Sequence, residues 1–193
     1  MTPVLGIIAS SNQQGRTGVV GAYEPIAVAT VPSGGLTTIT FGSIPQTYTH
    51  LQIRYIGRVT SASNDVGLYV KFNNSDANYQ YNGGHALIGT GSTFTSVNGY
   101  NGTSTVGGGI GQLPGANRTS GVFGTGVIDI LDYANTNKNT VVRTLFGYDS
   151  NGAGQTILLG FVWVDTSAVT SILINPDQPL AQNSQFALYG IKG

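Results

Sequence analysis

The stretch His50-Leu51-Gln52-Ile53-Arg54-Tyr55-Ile56-Gly57-Arg58 alternates almost without a break. Leu51, Ile53 and Tyr55 fall on one face, Gln52, Arg54 and Ile56 on the other. Val66, Leu68, Val70 and Phe72 keep the same beat, and so does the last stretch, where Phe186 and Leu188 oppose Ala187, Tyr189 and Ile191. A period of two belongs to extended chain, because successive side chains of a strand point to opposite faces. Helical periodicity is close to nil. An all-β fold is therefore expected, with the final strand paired in a sheet so that the fold closes where the sequence closes.

The remaining runs fit that reading. Ile26–Val31 and Leu36–Phe41 flank Pro32-Ser33-Gly34-Gly35 and read as a hairpin. Further strands are expected in Val122–Tyr133, Thr140–Tyr148, Ile157–Val164 (which holds the sole tryptophan, Trp163) and Val169–Ile174, separated by Asn- and Gly-rich turns. Weak strands are expected around Ala86–Ile88 and Phe94–Val97. Eight or nine strands with short turns predict an antiparallel two-sheet β-sandwich, jelly-roll-like, with an extended N-terminal arm. The arm is residues 1–22 and the body 23–193, with a Gly/Asn/Ser/Thr-rich insertion at about 73–121. Interior positions read from the pattern include Ile53, Leu68, Phe72, Ile130, Leu145, Leu158, Trp163 and Leu188. Each such side chain contributes roughly 1.5–3 kcal/mol of transfer free energy when buried.

Charge narrows the functional classes. Only 8% of the 193 residues are charged, with eight basic against eight acidic; an ordinary domain carries about 25%. Such a surface offers no basic patch to nucleic acid or anionic lipid. Solubility must come from hydroxyls and amides, and a near-zero net charge protects poorly against self-association. Absence of cysteine excludes disulfide scaffolds and Cys-based zinc sites. The opening run Val4–Ala9 is too short to span a membrane and lacks the positively charged start of a signal peptide. No membrane insertion and no export by that route are expected.

Candidate contact residues fall into three groups. Val4, Leu5, Ile7 and Ile8 make the arm apolar; it is expected to lie against another subunit or against its own domain, and both readings stand. In the insertion, Tyr79, Tyr81, His85 and Tyr100 sit among Asn and Gly, a composition suited to binding sugar or protein. The alternative is that these tyrosines close the end of the sandwich. Arg54 and Arg143 lie mid-strand, where a charge is either paired across strands or held for an inter-subunit contact; Asp129 and Glu24 are the expected partners of Arg54.

Chemical constellations are sparse. His50 opens a strand and is expected to hydrogen-bond backbone. Gly107-Gly108-Gly109-Ile110-Gly111 lacks the Lys-Ser/Thr of a phosphate loop and reads as a flexible loop. Asp129 and Asp132 fall on opposite sides by parity, which does not suit a glycosidase pair. Asp132 and Asp149 are expected to stabilise turns, and Asp149 with Asn151 lacks the acidic density of a calcium site. No catalytic, cofactor-binding or metal-ligating residue is expected, and no cofactor.

Four stretches carry a resemblance: Val4–Ser11, Ile44–Arg54, Ile130–Lys138 and Phe186–Gly193. Together they resemble a family of small structural proteins encoded by tailed bacteriophages, notably aquatic ones. The resemblance implies a virion component without fixing its place on the particle, and implies no functional residues. The expected function is thus a non-enzymatic structural protein on the particle exterior, a capsid-decoration (cement) protein or short fibre held by its arm. It would be made in the host bacterial cytoplasm, contact major capsid or tail proteins, and form a homo-oligomer, preferably a trimer. A tail-fibre or glycan-binding module, using the 73–121 insertion on a host surface glycan, is the alternative.

Overall fold

The computed structural model describes residues 22–84, 87–90, 93–96, 100–104 and 106–193, with backbone alone for those lying between 81 and 103. No helix occurs among them. Two sheets form the body. The large sheet runs β1 (Tyr23–Thr30), β14 (Gln185–Ile191), β3 (His50–Gly57), β10 (Gly124–Leu131), β11 (Thr140–Tyr148), β12 (Gln155–Trp163), β5 (Tyr79–Gly84), β8 (Tyr100–Ser104). The small sheet runs β2 (Ile39–Phe41), β13 (Ile172–Pro176), β4 (Asp65–Phe72), β9 (Gly108–Pro114), and β6 (Leu87–Thr90) pairs with β7 (Thr93–Ser96) as a separate ribbon. Every pairing is antiparallel. The body is an all-β, antiparallel two-sheet sandwich of jelly-roll type. Its chain changes sheets at most connections and runs as a meander only through β10, β11 and β12.

Period two explains the layering. Leu51, Ile53, Ile128, Ile130, Phe186 and Leu188 point inward from the large sheet and are fully buried. Leu68, Val70, Phe72, Ile110, Leu113, Ile172 and Ile174 meet them from the small sheet in one contiguous cluster. At one end the aromatics interlock. Phe72 lies edge-on to Trp163 at 5.5 Å between centroids, and Tyr79 to Phe161 at 5.7 Å. Thr144, buried on β11, donates to the Ile110 carbonyl of β9 at 2.9 Å and ties the sheets together.

Several expectations need correction. Ile26–Val31 and Leu36–Phe41 do not form a hairpin: β1 pairs with β14 in the large sheet, and β2 with β13 in the small one. Pro32–Gly35 is a corner between sheets, held by Gly35 N–H to Pro32 O at 3.1 Å. The glycine run at 107–111 is no flexible loop. Gly107 leads into β9, which takes up the rest of the run and whose Ile110 and Leu113 are fully buried. Leu145 and Leu158 do not face the interior but lie 52% and 38% exposed. Strict parity places Leu145 opposite in phase to the buried Val142, Thr144 and Phe146.

Candidate functional site

The outer face of the large sheet carries the most unusual surface among the described residues. Cross-strand register aligns Val28, Ala187, Arg54, Val127, Leu145 and Leu158 in one row over β1, β14, β3, β10, β11 and β12. Val28 is 65% exposed, and Val127 and Leu145 are exposed too. Ile56 on β3 and Val141 on β11 extend the aliphatic surface on either side of that row. An antiparallel sheet with a solvated face normally alternates apolar inside with polar outside. Here β10, β11 and β12 place Val127, Leu131, Val141, Leu145, Leu158 and Val162 on the outer face among a few polar residues, more aliphatic surface than a solvated face usually carries.

A chain of polar contacts crosses this face. Arg143 Nη2 reaches Asp129 Oδ2 at 2.8 Å between directly opposed residues of β10 and β11. Gln52 Nε2 donates to Asp129 Oδ1 at 2.8 Å, and Arg54 Nε donates to Gln52 Oε1 at 2.7 Å. The Arg54 guanidinium lies 5.3 Å from the ring centroids of both Tyr23 and Tyr189. Cation–π contact of this kind holds a planar guanidinium in place. Arg143 thus makes the expected cross-strand pair, whereas Arg54 pairs with neither Asp129 nor Glu24. It is bound through Gln52 and two tyrosine faces. Glu24 is engaged elsewhere: Lys192 Nζ donates to it at 2.7 Å and Tyr48 Oη at 3.1 Å. The Lys192 bond, first of these, holds its carboxyl below the usual carboxylate range.

Beside Arg54 the face dips into a shallow depression of about 240 Å³, bordered by Val28, Ile56, Gln185 and Ala187. Small Ala187 leaves the space. Leu145 and Leu158 stand proud on the opposite half of the face, over β11 and β12.

Ionisable groups elsewhere are committed to structure. Arg118 grips Asp65 with Nη2 to Oδ2 at 2.6 Å and Nε to Oδ1 at 3.3 Å, while the Tyr148 hydroxyl donates to the same carboxylate. Burial, then the Asp65 bond, pushes the Tyr148 phenol up. Arg58 donates to the carbonyls of Thr119, Val122 and Arg118, fixing the 115–123 loop. His50 Nδ1 accepts the Asp132 N–H at 2.9 Å, so this histidine bonds backbone as expected. The Asp132 carboxylate binds Lys138, a side-chain partner rather than an expected turn amide. Asp149 does cap its turn, accepting Gly152 N–H at 3.0 Å. Among the described residues no group of three or more His, Cys, Asp or Glu is placed to hold a metal.

Of the candidate sugar- or protein-binding tyrosines, Tyr79 is excluded from the surface. It is fully buried against Phe72 and Phe161, and its hydroxyl accepts Phe72 N–H at 2.7 Å and donates to Ser75 O at 3.1 Å. The side chains of Tyr81, His85 and Tyr100 lie outside the described residues, as do Val4, Leu5, Ile7 and Ile8. Sequence reasoning missed Val28, Ile56, Val127 and Leu158 as surface residues. Parity within β10 and β11 is the signal that finds the face, since Val127 and Leu145 run out of phase with Ile128 and Val142.

Compared with protein families and with curated proteins, the chain matches none. Among solved structures it is similar to galectin LEC-6 of Caenorhabditis elegans, with 8% identity, a TM-score of 0.32, and coverage of 86% of this chain and 96% of that one.

Proposed function

We propose that this chain is a non-enzymatic structural subunit of a bacteriophage particle. It sits on the particle exterior as a capsid-decoration protein or short fibre, held by residues 1–22, and packs against its own copies and against capsid or tail proteins. The observation that carries this reading is the aliphatic outer face of the large sheet, which no described element covers. A contiguous apolar patch on a rigid body marks an interaction surface, and a formal net charge of zero leaves little repulsion between copies. The phage-family resemblance supplies the setting. The glycan-binding alternative is less favoured, because Tyr79, the first of its proposed contact residues, belongs to the core.

Immunogold electron microscopy of intact purified phage tests the reading. Gold over the head makes the protein a cement protein; gold at the neck or tail makes it a fibre or adaptor. Particles free of the protein would contradict it. Deleting residues 1–22 is expected to leave the body folded, with an unchanged far-UV circular dichroism spectrum, and to abolish incorporation into particles. Normal incorporation of the truncated chain would remove the arm from the account.

A further inference from the structure

We infer that the outer face of the large sheet is the contact between two copies of this chain, packed face to face about a two-fold axis. The axis lies parallel to the strands, between β3 and β10. This inference deepens the proposed structural role and rests on that reading only for its biological setting.

The argument comes from the face's own symmetry. The sheet continues through β5 and β8, but the exposed row runs over the six strands from β1 to β12, whose central pair is β3 and β10. An isologous contact about a line between them exchanges β1 with β12, β14 with β11, and β3 with β10. In the aliphatic row, Val28 then meets the second copy's Leu158, and Ala187 its Leu145. The depression beside Ala187 thus receives the two leucines that stand proud on the other half of the face. Arg54 meets Val127, its guanidinium already held by its own tyrosines.

The polar row is complementary in the same register. Tyr189 meets Arg143, an aromatic face against a guanidinium, while Gln52 lies buried beneath that contact, bonded to its own Asp129 and Arg54. No like charges are opposed, which a wrong partner of this mixed-charge face would not guarantee.

Size agrees. Six strands about 4.8 Å apart and about seven residues long, rising about 3.3 Å each, give a flat area of roughly 650 Å². A standard stable interface buries about 800 Å² per partner.

Sedimentation equilibrium of the full chain is expected to show a reversible dimer. Leu145→Arg, at an exposed position, is expected to weaken association at least tenfold while leaving the far-UV circular dichroism spectrum unchanged. Cross-linking then tests the geometry. The chain has no cysteine, so Ala187→Cys and Leu145→Cys introduce single thiols. A short bismaleimide spans the ~10 Å between packed sheets but not the ~14 Å between β14 and β11 of one chain. Mixing the two single variants is expected to give a covalent dimer, and either variant alone to give little.

A chain that stays monomeric, a trimer, or association indifferent to Leu145→Arg would overturn the pairing. So would cross-linking as strong in either variant alone as in the mixture. The outcomes separate from those of the proposed function. A monomer found in particles refutes the pairing and keeps the structural role; a dimer absent from particles does the reverse.

Discussion

Tyr55 shows how a single residue sets a boundary on stability. Its ring stacks on Phe186 at 5.3 Å between centroids, while its buried hydroxyl has no hydrogen-bond partner among the described residues. A lone buried hydroxyl costs about 1–3 kcal/mol. Tyr55→Phe keeps the stack and removes the hydroxyl, so it is expected to raise the unfolding free energy by about 1 kcal/mol in urea titrations. A loss of stability would mean that the hydroxyl has a partner. Burial also raises the Tyr55 phenol above the ordinary tyrosine value, as it does for Tyr148. A raised folded pKa gives stability that is fully present below about pH 10 and is lost as pH rises through the higher folded value. Alkaline unfolding above about pH 10 is therefore expected, and Tyr55→Phe is expected to blunt it. The hydroxyl's isolation was not legible in the sequence. Alternation placed Tyr55 inward but could not reveal what its tip meets.

At the scale of elements, β3, β4 and β14 were legible because large apolar side chains mark alternate positions. β9 was not, because Gly108 and Gly111 stand at inward positions among its buried Ile110 and Leu113. A Cβ added at Gly108 would lie 2.1 Å from the Phe161 ring, so the ring from β12 fills the space a side chain would take. Bulk belongs to one strand and its absence to the facing one, a pairing that no single segment displays. Gly108→Ala is expected to destabilise the fold by about 1–3 kcal/mol through overpacking, read as a lower midpoint in chemical denaturation. An unchanged midpoint would show that Phe161 repacks freely. The failed hairpin has a related cause. Sequence neighbours usually pair, but β1 and β2 are separated by a corner, and β1's partner β14 lies at the far end of the chain.

For the whole molecule, period two identified a sandwich but not which apolar residues stay outside it. Leu145 and Leu158 read as core because they are large and apolar; register makes them opposed neighbours on the outer face. Of the candidate contacts read from sequence, Arg54 and Arg143 do lie on it. Val28, Ile56, Val127 and Leu158 became visible only with the strand order, because cross-strand rows join residues far apart in the chain. The most direct test of the account replaces the resident gene in a phage with one carrying Leu145→Arg and Leu158→Arg, and measures the protein's copy number in purified particles. The account predicts a folded, soluble variant with a wild-type far-UV circular dichroism spectrum that is lost from particles. Incorporation at the wild-type copy number would contradict it.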